Sequence, residues 1–137
     1  MGNTIIVVGC TKLKESFECE AEQMYSRSVL FSKTVNYAKK NYTDYNYVIL
    51  SAKYGVLNPT DVIVPYDISM NEVKKDIGLY SVILNNIKIK LRDYDTIIAL
   101  CGTVYVDAIR KSLPEKEIIT PMRGMGIGKR LRFLSVK

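Results

Sequence analysis

A chain of 137 residues that is 47% hydrophobic and 25% charged can bury one ordinary core but not two independent ones. Its net charge of +6 favours anionic partners, and no apolar run approaches the roughly 18 residues that a membrane span needs. The sequence contains no histidine, which excludes Ser-His-Asp and Cys-His catalysis and most catalytic zinc sites. Proton transfer must therefore fall to Asp, Glu, Lys, Tyr or Cys. Three cysteines without close pairs point to reduced thiols in the cytoplasm, and neither a metal nor a cofactor is expected.

The opening stretch has no charged n-region and reads as a first strand, not a signal peptide. A myristoyl reading of Gly2 fails because position 6 is Ile where that motif wants Ser or Thr. Residues 4–8 are apolar and β-branched, a pattern for a strand buried on both faces. Residues 12–22 show no period and read as loop. Helical spacing begins after Ser26 or Ser28, either of which suits a cap, with Leu30, Phe31, Thr34, Val35 and Ala38 on one face. Residues 47–51 form a second strand, and 51–67 read as a long, chemically rich loop. Ser69-Met70-Asn71-Glu72 is a capping box. Behind it Val73, Ile77, Tyr80, Leu84, Ile87 and Leu91 predict one helix of about six turns. A third strand over 95–101, a short helix reaching 112 or 113, a short strand over 118–120 and a basic tail complete the chain. No acid follows Glu117, whereas Arg123, Lys129, Arg130, Arg132 and Lys137 do.

Strands alternating with helices predict a single α/β domain over 1–137, a three-layer sandwich with a mainly parallel central sheet flanked by helices. Ligands of such sheets sit beyond the carboxyl ends of the strands. Cys10, Lys12 and Lys14, then Ser51, Lys53, Tyr54 and Gly55, then Gly102 and Thr103 all follow strand ends and should converge on one rim. Lys53 suits an anion and Tyr54 a stacked base; the competing reading is a surface lysine and a core-capping tyrosine. Gly55 serves a positive φ or a close approach under either reading. Pro65 stiffens the approach to Tyr66 and Asp67. Asp67 is the carboxylate placed to activate water or balance a sugar cation, against a cap or turn role before the next helix. Asp61 reads as a turn residue after Pro59. Cys10 and Cys101 read as buried small hydrophobes ahead of nucleophiles. Tyr25 and Ser26 precede the first helix. The glycines at 124, 126 and 128 lack a dinucleotide fingerprint, yet Gly126 would let backbone approach a phosphate beside Arg123.

Gly9-Cys10-x-Lys12-x-Lys14, Tyr25-Ser26 with Phe31, residues 51–57, Ile63-x-Pro65-Tyr66-Asp67 and Gly124-x-Gly126-Ile127-Gly128 together resemble a family of small bacterial and phage domains. The segment from Tyr54 to Tyr66 is also similar to YaaA-type peroxide-stress proteins and, more loosely, to domains attached to archaeosine-synthesis enzymes. The resemblance implies a uracil-DNA-glycosylase-like fold, a nucleic-acid or nucleotide ligand, and a role in phage DNA modification or its removal. Two departures stand beside it: glycosylases of that fold commonly use a histidine, and this chain is shorter than YaaA-type proteins. The resulting expectation is an enzyme of the glycosylase or nucleoside N-glycosidase type, working without membrane or cofactor. Asp67, Lys53 and Tyr66 would be catalytic. Cys10, Lys12, Lys14, Tyr25, Ser26, Ser51, Tyr54, Gly55, Gly102, Thr103, Arg123 and Gly126 would bind substrate. The alternative is a non-catalytic nucleotide or nucleic-acid binding module.

Overall fold

A computed structural model describes residues 3–42 and 46–136. Gly2 and Lys137, which entered the sequence reading, lie outside the described residues. The chain begins with β1 (Thr4–Gly9), a two-residue β2 (Cys19–Glu20), α1 (Ala21–Met24) and α2 (Val29–Asn41). The Ser28 side chain accepts from the Phe31 N–H at the start of α2, which settles the choice between the two candidate caps. β3 (Tyr47–Ser51), β4 (Gly55–Leu57) and β5 (Val62–Ile63) follow, then α3 (Met70–Lys74) and α4 (Ile77–Leu91). The chain closes with β6 (Thr96–Leu100), α5 (Thr103–Ser112), β7 (Glu117–Ile119) and α6 (Ile127–Val136).

Five strands form one sheet in the order β4-β3-β1-β6-β7, parallel throughout except that β4 runs antiparallel to β3. β1 is central, and Ile5, Ile6, Val7 and Val8 are all buried, as a strand covered on both faces requires. The chain leaves β1 for β3 on one side and returns to β6 on the other. Right-handed crossovers travelling in opposite directions place their helices on opposite faces. Accordingly α2 packs with α6, while α4 packs with α3 and α5. The protein is therefore an α/β fold with a mixed five-stranded sheet flanked by helices. Among the described residues no helix is long and apolar enough to cross a membrane.

Three local expectations are corrected. Residues 12–22 are not all loop, because β2 pairs with β5 through Cys19↔Ile63 and Glu20↔Val62. The stretch 51–67 is not one loop either: it reverses at Gly55, which has φ 77°, and returns along β3 as β4. The predicted six-turn helix is two. The Lys75 N–H closes α3 on the Glu72 and Val73 carbonyls, and extended Asp76 then caps α4 by accepting from the Leu79 N–H. That break resets the helical phase. Ile77 is consequently 84% exposed, and Ile83 joins Ile87 and Leu91 in the core instead.

Candidate functional site

Opposite-going connections from adjacent parallel strands open a crevice at their carboxyl ends. Here that crevice lies between β1 and β6. Beyond β1 the Cys10 N–H donates to the Leu50 carbonyl at 3.0 Å, holding the exit of β1 against β3. Beyond β6, Gly102 caps α5 without a side-chain hydrogen bond. A cavity of about 270 Å³ lies where residues 10–14 meet residues 67–72, lined by Lys12, Lys14, Asp67, Glu72 and Tyr105 among others. A more open cavity of about 610 Å³ shares Cys10, Thr11, Lys12 and Tyr105 with it and adds Gly102, Thr103 and Arg130. The first and third strand ends thus meet as topology demanded.

The second strand end contributes differently. Ser51 is fully buried, and its Oγ accepts from the Lys53 and Tyr54 N–H groups, both at 3.1 Å. With its acceptor capacity used, the hydroxyl donates to Tyr66 Oη at 2.8 Å. Tyr66 Oη lies 2.6 Å from Tyr25 Oη, and Tyr25 is fully buried. Ser51 and Tyr25 therefore position Tyr66 and do not reach a ligand themselves. The ring of Tyr66 carries the Lys14 ammonium 4.5 Å from its centroid and meets Tyr54 edge-on at 5.7 Å. Tyr54 is itself fixed through its hydroxyl to the Val64 N–H and carbonyl.

Burial pushes the Tyr66, Tyr105 and Tyr25 phenols above their ordinary value of 10.0. All three consequently stay protonated at neutral pH, as donors and not as bases. Between the unfolded value of 10.0 and the higher folded values, the native state binds more protons than the unfolded one. Stability therefore falls as pH rises past 10.0, by up to about 1.4 kcal/mol per pH unit for each phenol. Tyr66→Phe should flatten that decline by one phenol's share in urea unfolding measured across alkaline pH. Identical slopes for the two proteins would refute the buried network.

Tyr105 Oη donates to the Cys10 carbonyl at 3.2 Å and lies 3.2 Å from Cys10 Sγ, which leaves the thiol as donor in that contact. The Cys101 thiol, pushed up to about 12 by burial, is no nucleophile. Glu72 lines the 270 Å³ cavity, yet its carboxylate accepts from the Ser69 N–H as the expected capping box, which lowers its pKa. Ser69 rather than Asp67 therefore caps α3. Asp67 is exposed and, among the described residues, has no hydrogen bond or ion pair. Asp61 accepts from the Asn58 N–H at 2.8 Å, the expected turn role.

Several expected site residues stand elsewhere. Lys53 is exposed with its ammonium 5.3 Å from the Tyr54 ring, away from the Asp67 cavity lining. Ser26 donates to the Gln23 carbonyl in the turn after α1. Gly55 is buried against Asn86 and shapes the reversal. The Gly126 carbonyl accepts from the Arg130 N–H at the start of α6. Arg123 lines a further cavity with Gly102 and Thr103, on the α5 side away from Asp67. Tyr105 and Arg130 were missed. The signal for Tyr105 was its place in the first turn after a strand end, and for Arg130 the acid-free tail.

No curated protein matches the chain. The crystal structure of AF0587, a protein of unknown function, superposes on it with a TM-score of 0.59 at 14% identity. The match covers 98% of this chain and 43% of AF0587, so the chain spans under half of that protein's length and the likeness concerns the fold alone. Residues 5–136 match DUF6884, a family of unknown function, and the chain belongs to that family.

Proposed function

We propose that the protein is a nucleotide- or nucleic-acid-directed enzyme that cleaves or exchanges the N-glycosidic bond of a base, without metal or cofactor. The observation that carries this reading is Asp67. It is the carboxylate in the 270 Å³ cavity that no cap, turn or ion pair engages among the described residues. A free carboxylate beside two lysines suits a reaction in which a sugar carbon becomes cationic while a phosphate must be held. Asp67 would activate water or balance the oxocarbenium charge, and Lys12 and Lys14 would hold phosphate. Tyr66, clamped at its hydroxyl and carrying the Lys14 ammonium over its ring, would position Lys14 and the neighbouring residue 67. Lys53, off the cavity, has no part in this scheme.

The resemblance to YaaA-type proteins and to a three-layer uracil-DNA-glycosylase-like sandwich agrees with this reading, as does a role in phage DNA modification in the cytoplasm. The test is to incubate the protein with modified and unmodified DNA and with free nucleosides, and to look for released base by chromatography. No release from any of them by folded protein removes the enzymatic reading. The solvent exposure of Asp67 favours a second one, a binding module that needs the cations alone. It predicts salt-dependent binding without turnover.

A further inference from the structure

Basic side chains along the carboxyl edge of the sheet do not stop at the cavity that holds Asp67. Gly102 and Thr103, where α5 begins, line both the 610 Å³ cavity and a third one of about 190 Å³. Arg110 and Arg123 line the third cavity, Arg130 the middle one, and Lys12 and Lys14 the first. Each shares lining residues with the next, Gly102 and Thr103 between the third and the middle, Cys10, Thr11, Lys12 and Tyr105 between the middle and the first. Among the described residues none of these five cations forms an ion pair; the ion pairs there join Arg27 to Glu15 and Lys39 to Glu22. No acid lines the middle cavity, while Asp107 lines the third and Asp67 and Glu72 the first.

Arg130 supplies an independent sign of an absent partner. Its Nε is buried without a hydrogen-bond partner, and its guanidinium lies against Gly102, where a Cβ would stand 3.4 Å from a terminal nitrogen. A buried donor left unmade is costly, and a donor belonging to a cation more so. The terminal nitrogens of the same guanidinium, beside Gly102 in the middle cavity, are the donors that an anion brought by a ligand would meet.

We propose that the three cavities form one track for a single-stranded polynucleotide. Successive phosphates are held by Arg110 and Arg123, by Arg130, and by Lys12 and Lys14, and the target base is delivered to Asp67. This rests on the proposed reading of the Asp67 cavity and sharpens it: the substrate is a strand, not a free nucleotide. A row of cations matches the regular charge of a phosphate backbone, and single-strand sites commonly extend over about four nucleotides or more. A mononucleotide would occupy one cavity and leave the cations of the others without a role.

The test is fluorescence anisotropy with end-labelled oligothymidylates of increasing length, with thymidine monophosphate as competitor and a duplex of the same length as comparison. Affinity should rise with length and then level off, and it should exceed that for the mononucleotide and for the duplex. Arg123→Gln, at an exposed position, should weaken binding of the long strand and reduce its salt slope by about 0.7. Arg130→Gln should reduce the slope similarly, with circular dichroism confirming the fold of both variants. Equal affinity for mononucleotide and strand, tighter binding of duplex, no binding at all, or an unchanged slope in Arg123→Gln would overturn the track. Length-dependent binding without base release would instead remove the glycosidic reading and leave the track standing.

Discussion

Asp67→Asn should lower base release by about 10²–10⁴-fold, the usual contribution of a positioned acid or base. Nucleic-acid affinity should hold or rise slightly, because a negative charge leaves a cavity that contains two lysines. The substitution is nearly isosteric, and Asp67 is exposed with no partner among the described residues, so the fold has little to lose. Asp61→Asn makes the control, since that carboxylate serves the turn at Asn58 and lies outside the cavity. The measurement pairs initial rates of base release with anisotropy on the same preparations. Retained turnover in Asp67→Asn would sink the proposed chemistry. Turnover absent from both proteins, with binding intact, would identify a binding module.

Gly55→Ala should be the most damaging small change to stability, at about 2–5 kcal/mol. Gly55 holds φ 77°, where an L side chain costs about 1–2 kcal/mol. An added Cβ would also sit 2.3 Å from Asn86 Oδ1, the atom that accepts the Val56 N–H at 2.9 Å. Displacing that amide leaves a part-buried donor unmade, a further loss of about 1–3 kcal/mol. Urea unfolding measures the sum. Gly126→Ala, at a position where an added Cβ meets nothing within 4 Å, should change stability by under about 0.5 kcal/mol. A cost below about 1 kcal/mol at Gly55 would mean that the reversal into β4 is far softer than its geometry implies.

Signals confined to a few neighbouring residues were legible. The Ser28 and Ser69 caps, the apolar runs of β1, β3 and β6, and the turn at Asp61 each depend on groups within three or four positions. What escaped depends on distant partners. β4 is three residues long and is anchored by Asn86, thirty positions away, so nothing near Gly55 announces it. The break at residues 75–76 hides because Val73 and Ile77 keep helical spacing across it, although Asp76 is itself a good cap. At the site, topology placed Cys10, Lys12, Gly102 and Thr103 together correctly. Residue type alone could not say that Tyr25 and Ser51 would be buried as supports, since a strand end offers both the rim and the core beneath it. Arg130 and Tyr105 lie on helices whose phase relative to the crevice is set only by packing.

The Tyr25–Tyr66–Ser51 cluster carries one last consequence, for how this sequence can change. Three hydroxyls at positions 25, 51 and 66 share hydrogen bonds, so altering one strands a buried polar group on another. Their substitutions cannot add independently. Widely separated in the chain, the three positions should show coupling energies in double-mutant cycles of unfolding.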